Sequence, residues 1–186
     1  MRPQTLTRTD EAPEDEALIA RWRAGDERAA TALVERHARP VARFVASLGI
    51  RSEVEEVVQD TFVRAFGSLD RFGGRSSLRT WLFTIARNLV RDRVRSAKTR
   101  RETQEIDDSR TATEHDALDQ VVADETAVRL RKALGRLTPM QKDVFTLRVT
   151  QGLSYKEIAH VLDSTEGAAR VHYFNAMRAI QDFLDA

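Results

Sequence analysis

Ser154-Tyr155-Lys156-Glu157-Ile158-Ala159-His160-Val161-Leu162-Asp163-Ser164-Thr165-Glu166-Gly167 is the stretch whose reading decides the fold. Ser154 followed three residues later by Glu157 is a capping box, so a helix starts there. Ile158, Ala159, Val161 and Leu162 give it an apolar side, and Asp163-Ser164 ends it after about two turns. A longer helix follows, over roughly Thr165 to Leu184. A short helix, a tight turn and a longer helix, with Ala159 small enough for a close crossing, make a helix-turn-helix. Ala169, Tyr173, Ala176, Met177, Ile180 and Leu184 share one face of the longer helix, which is expected to be core.

Upstream, Thr138-Pro139-Met140-Gln141 is another helix start, with Thr as N-cap, Pro at the first position and Gln at the third. That helix carries Val144, Phe145 and Leu147 and ends near Gly152, and an earlier one holds Val128, Leu130, Leu134 and Leu137. Residues 123–186 therefore form one small helical domain. Residues 99–122 lack large periodic apolar residues and read as a flexible linker, able to extend to roughly 80 Å. Residues 14–98 form a second helical domain, and residues 1–13, with two prolines, read as a disordered tail.

In the N-terminal domain the clearest helix places Val54, Val57, Val58, Thr61, Phe62, Ala65 and Phe66 on one side. Ser52 and Glu55 offer it a capping box. A helix over Asp26–Ser47 contains Pro40, which is expected to kink it. Another, over Leu78–Lys98, buries Leu78, Trp81, Leu82, Ile85, Ala86 and Leu89. The expected fold is all-α: two small helical domains joined by a flexible linker, the C-terminal one a helix-turn-helix.

Composition agrees. The chain has 186 residues, 32% charged, with a net charge of only +1, so a nucleic-acid signal must come from where the charges sit. No cysteine is present, which removes disulfides, thiolate zinc sites and Cys nucleophiles. His37, His115, His160 and His172 have no metal-ligand spacing, and no phosphate-cradling glycine loop or nucleophile elbow occurs. No metal, no cofactor and no enzymatic activity are expected. No apolar run is long enough to cross a membrane, and a cytoplasmic location is expected.

Three faces carry chemistry. The outward face of the last helix shows Gly167, Ala168, Val171, Asn175 and Arg178, flanked by Arg170 and His172. Arg pairs with guanine, Asn with adenine, and Val touches a thymine methyl, so this face suits a DNA groove better than bulk water. On the Leu78–Lys98 helix, Thr80, Thr84, Arg87, Arg91, Arg95 and Lys98 form a stripe with almost no acids to match it, a phosphate track. Asp92 is expected to bond Asn88 on the same helix. Trp81 falls in the apolar stripe, whereas Phe83 lies off it beside Arg79 and Arg87 and is expected to stack on an unpaired base. The Phe72–Ser77 turn, with Arg75 and Ser76, either holds an extruded base or is merely a turn. Glu55, Glu56, Gln59 and Asp60 would repel DNA, leaving a protein partner or solvent for that face.

Together these segments resemble the extracytoplasmic-function group of bacterial sigma-70 factors. Val54-Glu55-Glu56-Val57-Val58-Gln59-Asp60-Thr61-Phe62 resembles the family's polymerase-binding segment. Arg79-Thr80-Trp81-Leu82-Phe83-Thr84-Ile85-Ala86-Arg87-Asn88 resembles its promoter-melting and −10-reading segment. Leu137-Thr138-Pro139 with Gly152-Leu153-Ser154-Tyr155-Lys156-Glu157-Ile158-Ala159 resembles its −35-reading domain. The resemblance spans about residues 14–98 and 123–184.

It implies that Glu55, Glu56, Gln59, Asp60 and Phe62 dock on the β′ clamp helices of RNA polymerase core, with the β flap a second contact. It implies that Phe72, Arg75, Ser76, Arg79, Phe83, Arg87, Asn88, Arg91 and Arg95 capture and hold the −10 strand. Ser154, Tyr155, Lys156, Thr165, Gly167, Arg170, Val171, His172, Asn175 and Arg178 would contact the −35 element. Promoter DNA and an anti-sigma factor are the other implied partners, and stress-responsive transcription the setting. Two positions depart from the family: Asp163 stands where its turn often has Gly, and Asn175-Ala176-Met177 where its last helix often reads Arg-x-Arg. The competing reading is a stand-alone helix-turn-helix regulator.

Overall fold

A computed structural model describes residues 11–50, 52–103 and 125–185. Among them are eight α-helices: α1 Glu11–Arg23, α2 Glu27–Ser47, α3 Val54–Gly67, α4 Leu78–Thr103, α5 Glu125–Gly135, α6 Pro139–Val149, α7 Tyr155–Leu162 and α8 Glu166–Leu184. A single 3-10 turn, Leu69–Arg71, follows α3. The described residues are all-helical, as expected. Helix α1 starts at Glu11, inside the expected tail, and α4 runs to Thr103, past the expected start of the linker. The rest of both segments lies outside the described residues.

Local chemistry explains where most helices begin. Asp26 caps α2 by accepting from the Arg28 N–H at 3.0 Å, and Arg21 donates two bonds to the same carboxylate at 3.0 and 2.7 Å. Those bonds from Arg21 hold the Asp26 carboxyl below its ordinary pKa. Thr138–Gln141 and Ser154–Glu157 form complete capping boxes on α6 and α7. Asp163 adopts the left-handed conformation, φ 51°, that stops α7 and turns the chain into α8, so an aspartate serves where glycine is usual.

Pro40 lies inside α2, which is continuous from Glu27 to Ser47. One local expectation fails. The Ser52 capping box does not form: Glu53 takes the N-cap position and makes no side-chain cap bond. That shift places Glu55 too early in the helix to reach back, and the Glu53 carboxylate is held by Arg93 at 2.7 Å instead.

In the first domain α1–α4 enclose Leu33, Phe44, Val57, Leu69 and Leu82. A hydrogen-bonded pair lies within it: His37 Nε2 stands 3.0 Å from both carboxylate oxygens of Asp15, and both residues are buried. In the second domain Ala133, Leu137, Ala176 and Ile180 form a core between α5 and α8. The two domains are not apart. Helix α7 packs across α4, α6 packs against α2, and the apolar core runs on from Leu82 and Phe83 to Leu153 and Ile158.

Candidate nucleic-acid interface

Helix α4 contributes the basic row, and its surroundings differ from those its periodicity predicts. A helix packed on one side leaves an opposite stripe in water. Here α2 and α3 cover one side and the second domain covers another. Arg91, Arg95 and Asn88 are exposed as expected, but Thr80 is buried and Arg87 is 8% exposed. The Thr80 hydroxyl donates to Glu157 Oε1 at 3.3 Å, and Arg79 Nη2 donates to Gln151 Oε1 at 3.0 Å. Arg87 Nη1 is buried and has no hydrogen-bond partner among the described residues. Loss of water lowers the Arg87 pKa, while Asp143 and Asp163 of the second domain pull it back up.

Phe83 corrects another expectation. It is 0% exposed, with its ring 4.9 Å from that of Phe44, so it is a core residue and not a stacking platform. It packs on α2 of its own domain, so the buried arc of α4 is wider than its main apolar stripe. Trp81 is half-buried against Phe72, centroid to centroid 5.1 Å. The Phe72–Ser77 turn begins on this ring pair, and Arg23 Nη2 anchors it by donating to the carbonyls of Leu69 and Phe72 at 2.9 and 3.3 Å. Gly74 takes a positive φ of 66° and Arg75 is exposed, while Ser76 is half-buried. Asp92 is exposed and lines clefts on both sides of α4.

Between the domains lies a cleft of about 870 Å³, lined by Arg64, Arg87, Asn88, Arg91, Arg95 and Asp143 among others. Burial pushes the Asp143 carboxyl up to about 6, against the pull of Arg87 and Lys142.

The acidic edge of α3 is built differently from a free carboxylate row. Glu55, Glu56 and Gln59 are exposed and Asp60 is half-buried. Arg93 reaches from α4 to Glu53 at 2.7 Å, Asp60 at 2.8 Å and Glu56 at 3.5 Å. The sequence reading missed Arg93, because its partners lie on another helix. Phe62 is buried rather than displayed, but it floors an apolar groove of about 590 Å³ between α2 and α3, with Val34, Ala38, Val58 and Val63.

On α8, Gly167, Arg170, Val171, Asn175 and Arg178 are exposed, as is Lys156 on α7, while His172 is half-buried. Thr165 is exposed but its hydroxyl caps α8 through the Ala168 N–H at 3.1 Å. Ser154 is likewise engaged in capping α7, and the guanidiniums of Arg148 and Arg170 stand 4.8 and 4.7 Å from the centre of the Tyr155 ring. Met177, assigned to the core, is 41% exposed, because Ala176 takes the position against the neighbouring helices. Phe174 is 65% exposed on the same outward face as Val171 and Arg178. Its spacing, three after Val171 and four before Arg178, was the available signal for including it.

Among the described residues no group of three or more His, Cys, Asp or Glu is placed to hold a metal ion, and no helix is long and apolar enough to cross a membrane.

Known proteins share this arrangement. Residues 33–100 match the family model described as Sigma-70 region 2, and residues 127–180 that described as Sigma-70, region 4. The ECF RNA polymerase sigma-E factor of Escherichia coli (strain K12) is 31% identical over 177 residues, covering 90% of this chain and 93% of its own. The protein of the same description from Haemophilus influenzae is 29% identical, covering 90% and 94%. Among solved structures, CnrH in complex with the cytosolic domain of CnrY is 30% identical with a TM-score of 0.67, over 92% of this chain and 97% of that one. RpoE of Bartonella quintana, solved with the anti-sigma factor NepR, shares the fold at a TM-score of 0.69 and 24% identity, over 84% and 96%. Two family regions in the same order, and near-full-length similarity to curated relatives, carry one conclusion: this chain belongs to the ECF sigma factors of RNA polymerase.

Proposed function

We propose that this sigma factor divides its work among three surfaces. The α3 edge, through Glu55, Glu56, Gln59 and Asp60 with the groove floored by Phe62, takes the β′ clamp helices of core polymerase. The α4 row, Arg79, Arg87, Asn88, Arg91 and Arg95, holds the backbone of the opened −10 strand, and the Phe72–Ser76 turn with Arg75 receives an unstacked base. Helix α8 enters the −35 major groove with Arg170, Val171, Phe174, Asn175 and Arg178. Thr165 caps that helix, Ser154 caps α7 ahead of it, Tyr155 meets Arg170 on its flank, and Lys156 and His172 approach phosphate. Phe83 has no part in strand binding.

The observation that carries this reading is the separation of sign. Exposed acids sit on α3, and Arg91 and Arg95 are exposed on α4 of the same domain, while α8 of the other presents an exposed mixed face. The chain supplies address and strand stabilisation and no covalent chemistry of its own, in the cytoplasm where polymerase works. The 30% identical CnrH was solved with a CnrY domain, which supports an anti-sigma partner here also. A stand-alone regulator has less support, since the α3 edge and the α4 row would then have no use.

The experiment is promoter opening by core polymerase with this chain, followed with a fluorescent base analogue in the −10 region. Arg91→Ala with Arg95→Ala is expected to abolish opening while core binding persists. Unchanged opening would remove the row from the mechanism.

A further inference from the structure

We propose that Arg23, at the end of α1, is a positioning residue for promoter opening: it fixes the root of the Phe72–Ser77 turn through two backbone carbonyls and thereby sets which unstacked base that turn accepts. The inference rests on the reading of that turn as the receiver of a −10 base.

Arg23 Nη2 donates to the Leu69 carbonyl at 2.9 Å and to the Phe72 carbonyl at 3.3 Å, 46 and 49 residues along the chain. These carbonyls belong to the 3-10 turn Leu69–Arg71 and the residue that ends it, a place where a basic side chain is favoured. The approach to Asp70 is the weaker contact, 4.0 Å to a carboxylate that is 97% exposed. Arg23 is itself carried on a docked helix. Trp22 beside it meets Phe66 of α3 at 5.2 Å between ring centres, Ile19 one turn back is buried, and α1 packs along α2.

The turn is held at both ends and free between them. At its start Phe72 packs on Trp81, and at its end the Ser77 hydroxyl accepts from the Thr80 N–H at 3.2 Å and caps α4. Gly73, Gly74 and Arg75 are exposed between these anchors. Among the described residues, none of Gly73, Gly74, Arg75 and Ser76 makes a hydrogen bond, so their polar groups are available to a ligand. A base leaving the stack loses stacking and pairing, and a pocket already shaped for it offsets that loss through contacts. A turn ordered anew at each encounter loses conformational entropy at that moment, and an adaptable pocket discriminates less. Arg23 fixes the root before the base arrives.

A direct phosphate contact is the competing role for an exposed arginine, and the two differ in what their loss does. Loss of a phosphate contact weakens all sequences alike and lowers the salt slope by about one, whereas loss of an anchor flattens base preference at constant slope.

The test uses holoenzyme, core polymerase with the full chain, on a promoter it opens, with the −10 element randomised. Transcript yield per template, read by sequencing at two salt concentrations, gives the base preference at each position. Arg75→Ala combined with Ser76→Ala alters the turn itself and marks the captured position as the one whose preference falls. Wild type is expected to favour one base there by about tenfold, and Arg23→Ala to reduce this to about twofold or less, with the other positions and the salt slope unchanged. Arg23→Lys is expected to restore most of the preference, since one ammonium can serve both carbonyls as one nitrogen of Arg23 does, and Asp70→Asn to match wild type. A wild-type profile in Arg23→Ala would overturn the anchor and leave base capture standing. Uniform weakening with a salt slope lower by about one would overturn it in favour of a phosphate contact. A wild-type profile in the Arg75 and Ser76 double variant would overturn the base-receiving turn, and the anchor with it. Should Arg23→Ala lose its helical circular dichroism, Arg23→Met, which keeps side-chain length without a donor, decides: a flattened preference at the captured position supports the proposal, and an unchanged one overturns it.

Discussion

Arg93 on α4 donates from Nη2 to Asp60 on α3 across 2.8 Å, and the same guanidinium reaches Glu53 and Glu56 through Nη1. One side chain thereby ties the helix that carries the basic row to the helix that carries the acidic edge. Burial lowers the Arg93 pKa, and the hydrogen bonds it donates to Asp60 and Glu53 outweigh that and raise it. Arg93→Ala is expected to lower stability by only about 1 kcal/mol, since the partners are largely solvated. It should also steepen the salt dependence of binding to core polymerase, as three carboxylates lose their internal counter-charge. Urea melts and binding at two salt concentrations check both. A salt dependence identical to wild type would exclude the α3 edge from docking.

The Asp15–His37 pair is a different kind of contact. Both groups are buried, and Arg36 stands 3.3 Å from the same carboxylate. Asp15→Ala is expected to cost about 1.5–3 kcal/mol, the range for a buried hydrogen bond to a charged group. The loss should appear as a shift in urea midpoint with an unchanged slope. A midpoint within error of wild type would show that α1 does not contribute to the fold through this pair.

Asp143 gives the arrangement with the second domain packed on α4, the closed form, a pH dependence. Its carboxyl faces Arg87, Arg91 and Arg95 with Asp92 of α4 and Arg64 of α3, and it neighbours Lys142 on its own helix. Desolvation raises it to about 6, above the ordinary 3.8, so the closed form takes up a proton that the open form does not. Packing of the second domain on α4 therefore gains stability from Asp143 at acid pH, and that contribution is lost as pH rises through about 6 while the other contacts between the domains remain. The distance between spin labels at Glu35→Cys and Gln181→Cys, both exposed, should shorten on acidification from about pH 7.5 to about pH 5. Asp143→Asn should remain closed across that range. Acid-induced separation in the wild type would contradict the sign.

Phe174→Ala separates recognition from folding on α8. The side chain is largely in water, so stability should change by less than about 0.5 kcal/mol. Affinity for duplex DNA bearing the −35 element should fall by about 1–3 kcal/mol, as should the preference at the contacted step. Binding profiles over a −35 library measure both, and an unchanged profile would take Phe174 out of the reading face.

Much of this was legible in the sequence because it is local. The Thr138 and Ser154 capping boxes, the left-handed Asp163 and the order of the helices follow from residues within a few positions of one another. What was hidden is what one domain does to the other. Periodicity placed Thr80 and Arg87 on a solvent stripe and Phe83 beside it, and it cannot register that α7 packs across that stripe. Arg87 becomes a buried cation there, whereas Phe83 becomes core through Phe44 of α2 in its own domain. Arg93 escaped notice because its three acids come from the α3 segment, about 33 to 40 residues away. Met177 is exposed rather than core, and Phe174 went unassigned, because helix periodicity cannot tell a residue at the margin of a buried face from one inside it.

The central claim is most directly tested by mapping transcript starts made by purified core polymerase on a genomic promoter library, with and without this chain. The account predicts a defined set of new start sites, each preceded by a shared pair of −35 and −10 sequences, that disappears with Arg91→Ala and Arg95→Ala combined. Start sites that are the same with and without the chain would contradict it.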